Sequence, residues 1–225
     1  AVIEVGIGGR LDATNVILPE VCVITNVDYD DMDLLGETLE QIAFEKAGIM
    51  KPGVPVVVGA MGDGPRAVIL ARAAELHAPV WLLGHDYETR KFVRTGYRRI
   101  CSLRVDQTLW RNVMLNCPAA FMATNAAHAM AAFQTLCQQK LIPGLTEDHV
   151  RRTLEAVRLP ACCEVFPGRP TVVIDGSHNA MAAASLATIV RTVFEGRGRV
   201  LVVGVPRDKE VWKLIAHFAD AGAHH

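Results

Sequence analysis

The chain has 225 residues, enough to bury one large core or two modest ones, and its 23 basic and 24 acidic side chains leave a formal charge of −1. So even a balance gives no global field to draw nucleic acid or an anionic membrane. Hydrophobic residues make up 51%, yet charges or proline interrupt each apolar stretch short of spanning length and no basic-then-apolar leader opens the chain, so neither a membrane span nor secretion is expected.

In chain order, the apolar run Ala1 to Ile3 reads as a first strand that delivers Glu4 into the glycine-rich "EVGIGGRLDATN". Val21 to Thr25, Val54 to Gly59 and Val80 to Leu83 read as short buried strands rich in Val, Ile and Leu. Between them, Glu37 to Gly48 and Pro65 to His77 carry apolar residues at helical spacing, with Gly48 as C-cap. Residues 86 to 115 are more polar, aromatic and β-branched and suggest a small hairpin region. An Ala-rich helix follows from Met122 to Leu141, and a second, capped by Thr146, runs to about Arg158. "LPACCEVFPGRP" reads as a linker. "TVVIDGSHN", a helix from Met181 to Phe194, and "RVLVVGV" then form a βαβ unit. Strand–helix alternation with nearly continuous apolar strands predicts an α/β fold of parallel sheets covered on both faces, in two units split near residues 158 to 169.

The six cysteines (22, 101, 117, 137, 162 and 163) contain no C-x-x-C pair and read as small buried hydrophobes in a reducing cytoplasm. His77, His85, His128, His149 and His217 read as solvated positions without ligand spacing, and His224 and His225 as a tag remnant. The chain starts inside an apolar run without an initiator Met, so it reads as a piece of a longer protein.

"GIGG" is not a dinucleotide fingerprint, because the third glycine of G-x-G-x-x-G falls at Leu11. Open α/β sheets bind ligands beyond the carboxyl ends of their strands, where Glu4 is expected. A carboxylate there suits a hard divalent cation, with glycines letting phosphate or substrate approach the backbone. A tight turn with a solvated Glu explains the same residues equally well.

The longer wording resolves more. "EVGIGGRLDATNVI" and "ITNVDYDDMDLLGETLEQIAFEKAGIMKPGVPVVVG", then "TNAAHAMAA", "VVIDGSHNAMAAASL" and "VVGVPRDKE", run in order along the chain. Together they resemble the Mur ligase superfamily, and within it the folylpolyglutamate/dihydrofolate synthetase branch. The resemblance implies a partial three-layer ATPase domain over residues 1–158, a linker at 159–168 and a partial Rossmann-like ligase domain at 169–225. It implies ATP-dependent joining of L-glutamate to a folate or dihydropteroate carboxylate through an acyl phosphate, with magnesium, in a cytoplasmic monomer without nucleic-acid or membrane partners. The family's Gly-Lys-Ser/Thr phosphate loop is absent from these residues and is expected upstream, so the chain alone is expected not to turn over ATP.

Residue by residue, the resemblance makes Glu4 and Asp31 magnesium ligands and Lys46 of "FEKAGI" the lysine that carries a carbamate. Leu11, Asp12 and Ala13 match the pteridine-contacting segment. Asn125 and Asp175 match contacts to the nucleotide, with His178 beside them. By pattern alone, Lys46 is an ordinary helix lysine, Asn125 a surface amide, and Asp175 with Asn179 a helix cap. The sequence also departs from the family: Asp31 stands for a histidine, Ala161–Cys162–Cys163 for the linker's Gly-Arg-Phe, and Ala119 to Met122 for Gly-x-His-Gln. A thiol cannot replace a guanidinium's fork or charge. A peptidoglycan-type Mur ligase and a non-catalytic remnant therefore stay open beside the folate reading.

Overall fold

The computed structural model describes residues 1–29, 31–144, 146–204 and 211–219. Asp30, the "VPRDKE" part of the last motif, and the terminal histidine pair lie outside the described residues. The chain is mixed α/β and divides into two compact units that interleave in sequence. The first holds residues 1–90, 103–110 and 124–146; the second holds 91–102, 111–123 and 147–225.

The first unit is built on a parallel three-stranded sheet in the order β1 (Cys22–Asn26), β2 (Val56–Ala60), β3 (Val80–Leu82). Its register aligns Val23 with Val57 and Val57 with Trp81. Val56, Val57 and Val58 are fully buried, which is why the central strand reads as an unbroken apolar run instead of alternating. The short α1 (Met32–Leu35) and the longer α2 (Leu39–Ala47) follow β1, and α3 (Asp63–Glu75) follows β2. Thr38 and Gln41 form a reciprocal capping box at the start of α2, and Gly48 closes it. Ile42, Ala43 and Ala47 of α2 and Ile69 and Ala73 of α3 complete the core with the strands. Small alanines at helical spacing let both helices sit close to the sheet.

Strands β4 (Tyr87–Thr95), β5 (Arg98–Val105) and β6 (Thr108–Leu115) make a second sheet in that order. The Ala-rich α4 (Ala120–Gln138) and α5 (Glu147–Ala156) come next. In the second unit, β7 (Glu164–Phe166) pairs antiparallel with β8 (Val172–Ile174). α6 (Ala180–Val193) and α7 (Val211–Ala219) pack through Ala183, Ala187, Leu214 and Phe218.

Three expectations fail. Residues 1–5 form no strand, because no described strand offers them a ladder, and Val2 is 99% exposed. Glu4 is therefore not at a strand's mouth. The linker hides a strand, since Glu164–Phe166 has the β-branched and aromatic content to pair with β8. The parallel βαβ unit is not formed: β8 pairs antiparallel, and residues 199–204 are irregular, with Val200 and Val202 almost wholly exposed.

Candidate active site

The glycine-rich opening forms a loop held by one carboxylate. Asp12 Oδ2 accepts from the Gly6 and Ile7 amides, at 3.1 Å each, and Oδ1 from the Thr14 amide at 2.9 Å and hydroxyl at 2.6 Å. These donors, the Thr14 hydroxyl foremost, hold the Asp12 carboxyl down to about 2. Four bonds occupy the lone-pair capacity of a carboxylate. Asp12 thus shapes the loop and caps the 3₁₀ turn Ala13–Val16, while Leu11 and Ala13 beside it are exposed.

The loop is fastened along the end of α2. Arg10 donates its amide to the Glu45 carbonyl at 2.9 Å, and its guanidinium to the Glu45 carboxylate. Asn15 donates to the carbonyls of Arg10 and Gly48, and Lys51 Nζ donates to the Asn15 backbone and side-chain oxygens. Gly9 has to be glycine at this crossing, because a Cβ would lie 2.9 Å from the Glu45 carbonyl and 3.1 Å from that of Lys46. Gly9, Arg10 and Asn15 are in this way held against the last turn of α2, which carries the half-buried Lys46, while the exposed Leu11 and Ala13 lie between these anchor points.

Asp31 lies past the carboxyl end of β1, in the left-handed region at φ 49°, a conformation that aspartate tolerates better than most. Its carbonyl accepts from the Leu34 and Leu35 amides and starts α1, while its side chain does not cap that helix. Glu4 is exposed in the irregular opening. Among the described residues no group of three or more His, Cys, Asp or Glu is arranged to hold a metal ion. Glu4 and Asp31 are each carboxylates, the hard donor type that magnesium takes, and that ion keeps several waters and binds substrate phosphates instead of a closed protein cage.

Asn125 is exposed on α4, one turn before His128. His128 corrects the sequence reading: it is 3% exposed, not solvated, and neither ring nitrogen has a hydrogen-bond partner. It meets the Tyr87 ring edge-on at 5.7 Å between centroids, and Tyr87 donates its hydroxyl to the Val58 carbonyl. Desolvation alone holds the imidazole down to about 4. It abuts Gly59, where a Cβ would lie 2.5 Å from Nε2 and 2.0 Å from the Thr25 carbonyl. The signal was present, since buried Ala131 and Thr135 lie three and seven positions on along the same helix face.

In the second unit, Asp175 accepts from the Cys163 amide at 2.7 Å, the Ser177 amide at 2.9 Å and the Ser177 hydroxyl. The Gly176 amide donates to the Ala161 carbonyl at 2.7 Å. The linker segment 161–163 is thereby tied to the Asp175 turn. His178 is exposed with Nδ1 3.1 Å from the Gly176 carbonyl, and Asn179 caps α6 by accepting from the Ala182 amide.

No protein-family model matches the chain. It is 33% identical over 210 residues to the folylpolyglutamate synthase of Lacticaseibacillus casei, covering 93% of this chain and 49% of that relative. Against the dihydrofolate synthase/folylpolyglutamate synthase of Mycobacterium tuberculosis it is 33% identical over 223 residues, 96% of this chain and 46% of the relative. Among solved structures, a folylpolyglutamate synthase complex with AMPPCP and folate superposes with a TM-score of 0.91 at 30% identity, over 98% of this chain and 53% of that one. The Mycobacterium tuberculosis synthase complexed with ADP gives 0.88 at 30% identity, over 96% and 48%. The chain thus spans about half the length of the curated relatives it matches.

Proposed function

We propose, because the chain is homologous to the folylpolyglutamate and dihydrofolate synthases along nearly all of its length, that it is part of an ATP-dependent ligase joining L-glutamate to a folate or dihydropteroate carboxylate. The observation that carries this reading is the likeness, through both units, to a synthase solved with AMPPCP and folate.

In this reading, phosphorylation of the carboxylate by ATP gives an acyl phosphate, and the glutamate amine displaces phosphate from it. The chemistry asks mainly for positioning and charge stabilisation. The laced loop offers a fixed wall, with exposed Leu11 and Ala13 toward the pteridine and Asp12 holding the backbone in shape. Glu4 and Asp31 would hold magnesium, which when bound neutralises the crowded phosphates. Lys46 supplies anionic oxygens as a carbamate. Asn125 serves the nucleotide, as do Asp175 and His178. Residues 1–158 form the ATPase domain, 159–168 a linker and 169–225 the ligase domain, although the compact units interleave where these domains would be consecutive. The enzyme works as a cytoplasmic monomer; among the described residues no helix is long and apolar enough to cross a membrane.

The test is phosphate release by the whole polypeptide that carries this sequence, given ATP and magnesium. Release that requires both a folate or dihydropteroate and L-glutamate, and that falls at least tenfold in Lys46→Gln, supports the reading. Turnover with peptidoglycan precursors in their place, or no turnover with any acceptor, overturns it.

A further inference from the structure

We propose that the turn after α6, the tip of the β4–β5 hairpin and the loop before β8 together form a carboxylate-binding site for the oligo-γ-glutamyl tail of the acceptor. The choice of that ligand rests on the ligase reading; the arginine cluster stands without it.

The three segments meet within the second unit. At the hairpin tip, the Tyr97 ring stacks on Phe194, the C-cap of α6, at 5.6 Å between centroids. Arg197 lies across this aromatic shelf, its guanidinium 6.0 Å from the Phe194 ring centre. Its Nη1 donates to the Tyr97 hydroxyl at 3.2 Å and to the Thr171 hydroxyl at 3.4 Å. Thr171 in turn donates to the Gly168 carbonyl at 3.3 Å, which ties the loop before β8 into the cluster. Arg199 donates to the Phe194 carbonyl at 2.9 Å, and its Nε is buried without a partner. Arg98 follows Tyr97 directly, and Arg169 stands two positions before Thr171; both are exposed.

Donors are left over in this arrangement. Arg197 uses one nitrogen on two neutral hydroxyls, so Nε and Nη2, an edge that can fork onto a carboxylate, have no partner among the described residues. No ion pair engages Arg169, Arg197 or Arg199 among the described residues, whereas Arg98 has Glu155 at 3.5 Å. Glu195, also exposed, is the one acid on the three segments. The even charge of the chain conceals this imbalance: the first unit has 8 basic and 15 acidic side chains, the second 15 and 9.

Four guanidiniums on three segments exceed what one carboxylate can engage, so the fitting ligand carries several. Each round of the proposed reaction consumes one carboxylate of the acceptor and brings two with the glutamate. A tail therefore gains one negative charge per round. Thr171 and Asp175 stand at opposite ends of β8, roughly 13 Å apart along the strand. The arginine cluster thus lies away from the Asp175 turn, where a tail of several residues can reach it.

The experiment titrates the whole polypeptide that carries this sequence with synthetic penta-γ-glutamate, without ATP or pteridine. Binding is expected, weakened about fivefold in Arg197→Gln and in Arg169→Gln. It should be largely lost at about 1 M salt, where the screening length is about 3 Å. Arg169→Gln removes no hydrogen bond of the fold among the described residues, so it decides the matter even where Arg197→Gln folds poorly. Absence of binding, equal binding by the wild type and both variants, or displacement by inorganic phosphate at equal concentration would each overturn the inference. A polypeptide that adds glutamate but does not hold the peptide removes this inference alone. One that holds the peptide through Arg197 yet turns over no acceptor keeps the carboxylate site and removes the ligase reading.

Discussion

A histidine sealed in a core with both ring nitrogens unpaired is tolerated only as the neutral imidazole. His128 is held to about 4 by desolvation, whereas in the unfolded chain it titrates near 6.5. The unfolded state therefore binds the extra proton first on acidification. The stability tied to this group is intact above pH ~6.5 and is lost as pH falls toward ~4, amounting to about 3 kcal/mol by linkage. Urea midpoints across that window should fall more steeply in the wild type than in His128→Leu; parallel slopes would show that the imidazole is not sealed. Its neighbour Gly59 sets a steric limit. A methyl there meets the Thr25 carbonyl at 2.0 Å, which backbone cannot relieve without moving β1. Gly59→Ala should cost about 3 kcal/mol, the upper part of the overpacking range. At roughly 2–4 °C per kcal/mol for a chain of this size, the melting temperature should drop by on the order of 10 °C.

Elements with their own local signals were readable from the sequence. α2 announces itself through Thr38, Gln41 and Gly48 at its two ends, and the structure uses all three. Thr38→Ala removes the acceptor for the Gln41 amide and should lower stability by about 1 kcal/mol, readable as a shift in denaturant midpoint without a change in slope. β2 was legible because three consecutive valines buried on both faces need no alternation. What failed were elements whose state depends on a distant partner. Residues 1–3 and 199–204 have strand composition, but composition cannot supply a neighbouring ladder. Phe166 and Val165 were read as linker because proline and glycine surround them, yet β8 lies within pairing reach. At the candidate site the motif residues were legible as words. Their local duties were not: Asp12 is taken up by amides and a hydroxyl of its own loop once that loop has folded, and the sealing of His128 comes from packing between segments far apart in sequence.

At the scale of the molecule, near-zero net charge leaves shape, not a global field, to govern recognition. The lacing of residues 9 to 15 onto α2 bears on where such a chain can change. Glycine-rich surface loops are ordinarily where lengthening, nicking and insertion are accepted, but that tolerance comes from backbone groups free to face water. Here the Arg10 amide and the carbonyls of Arg10 and Asn15 are all committed, and the Asn15 and Lys51 side chains cross-stitch the segment at its far end. Brief trypsin treatment of the native chain should therefore cleave after Lys91 or Arg94, in the exposed outer part of β4, well before Arg10; early cleavage at Arg10 would mean that the stitching does not hold in solution. An added residue between positions 9 and 15 would pull every stitch out of register at once. The glycines there do not mark slack chain: they let the backbone lie flat like an inlay, and descendants of this sequence should vary the exposed faces of Leu11 and Ala13 while keeping the segment's length.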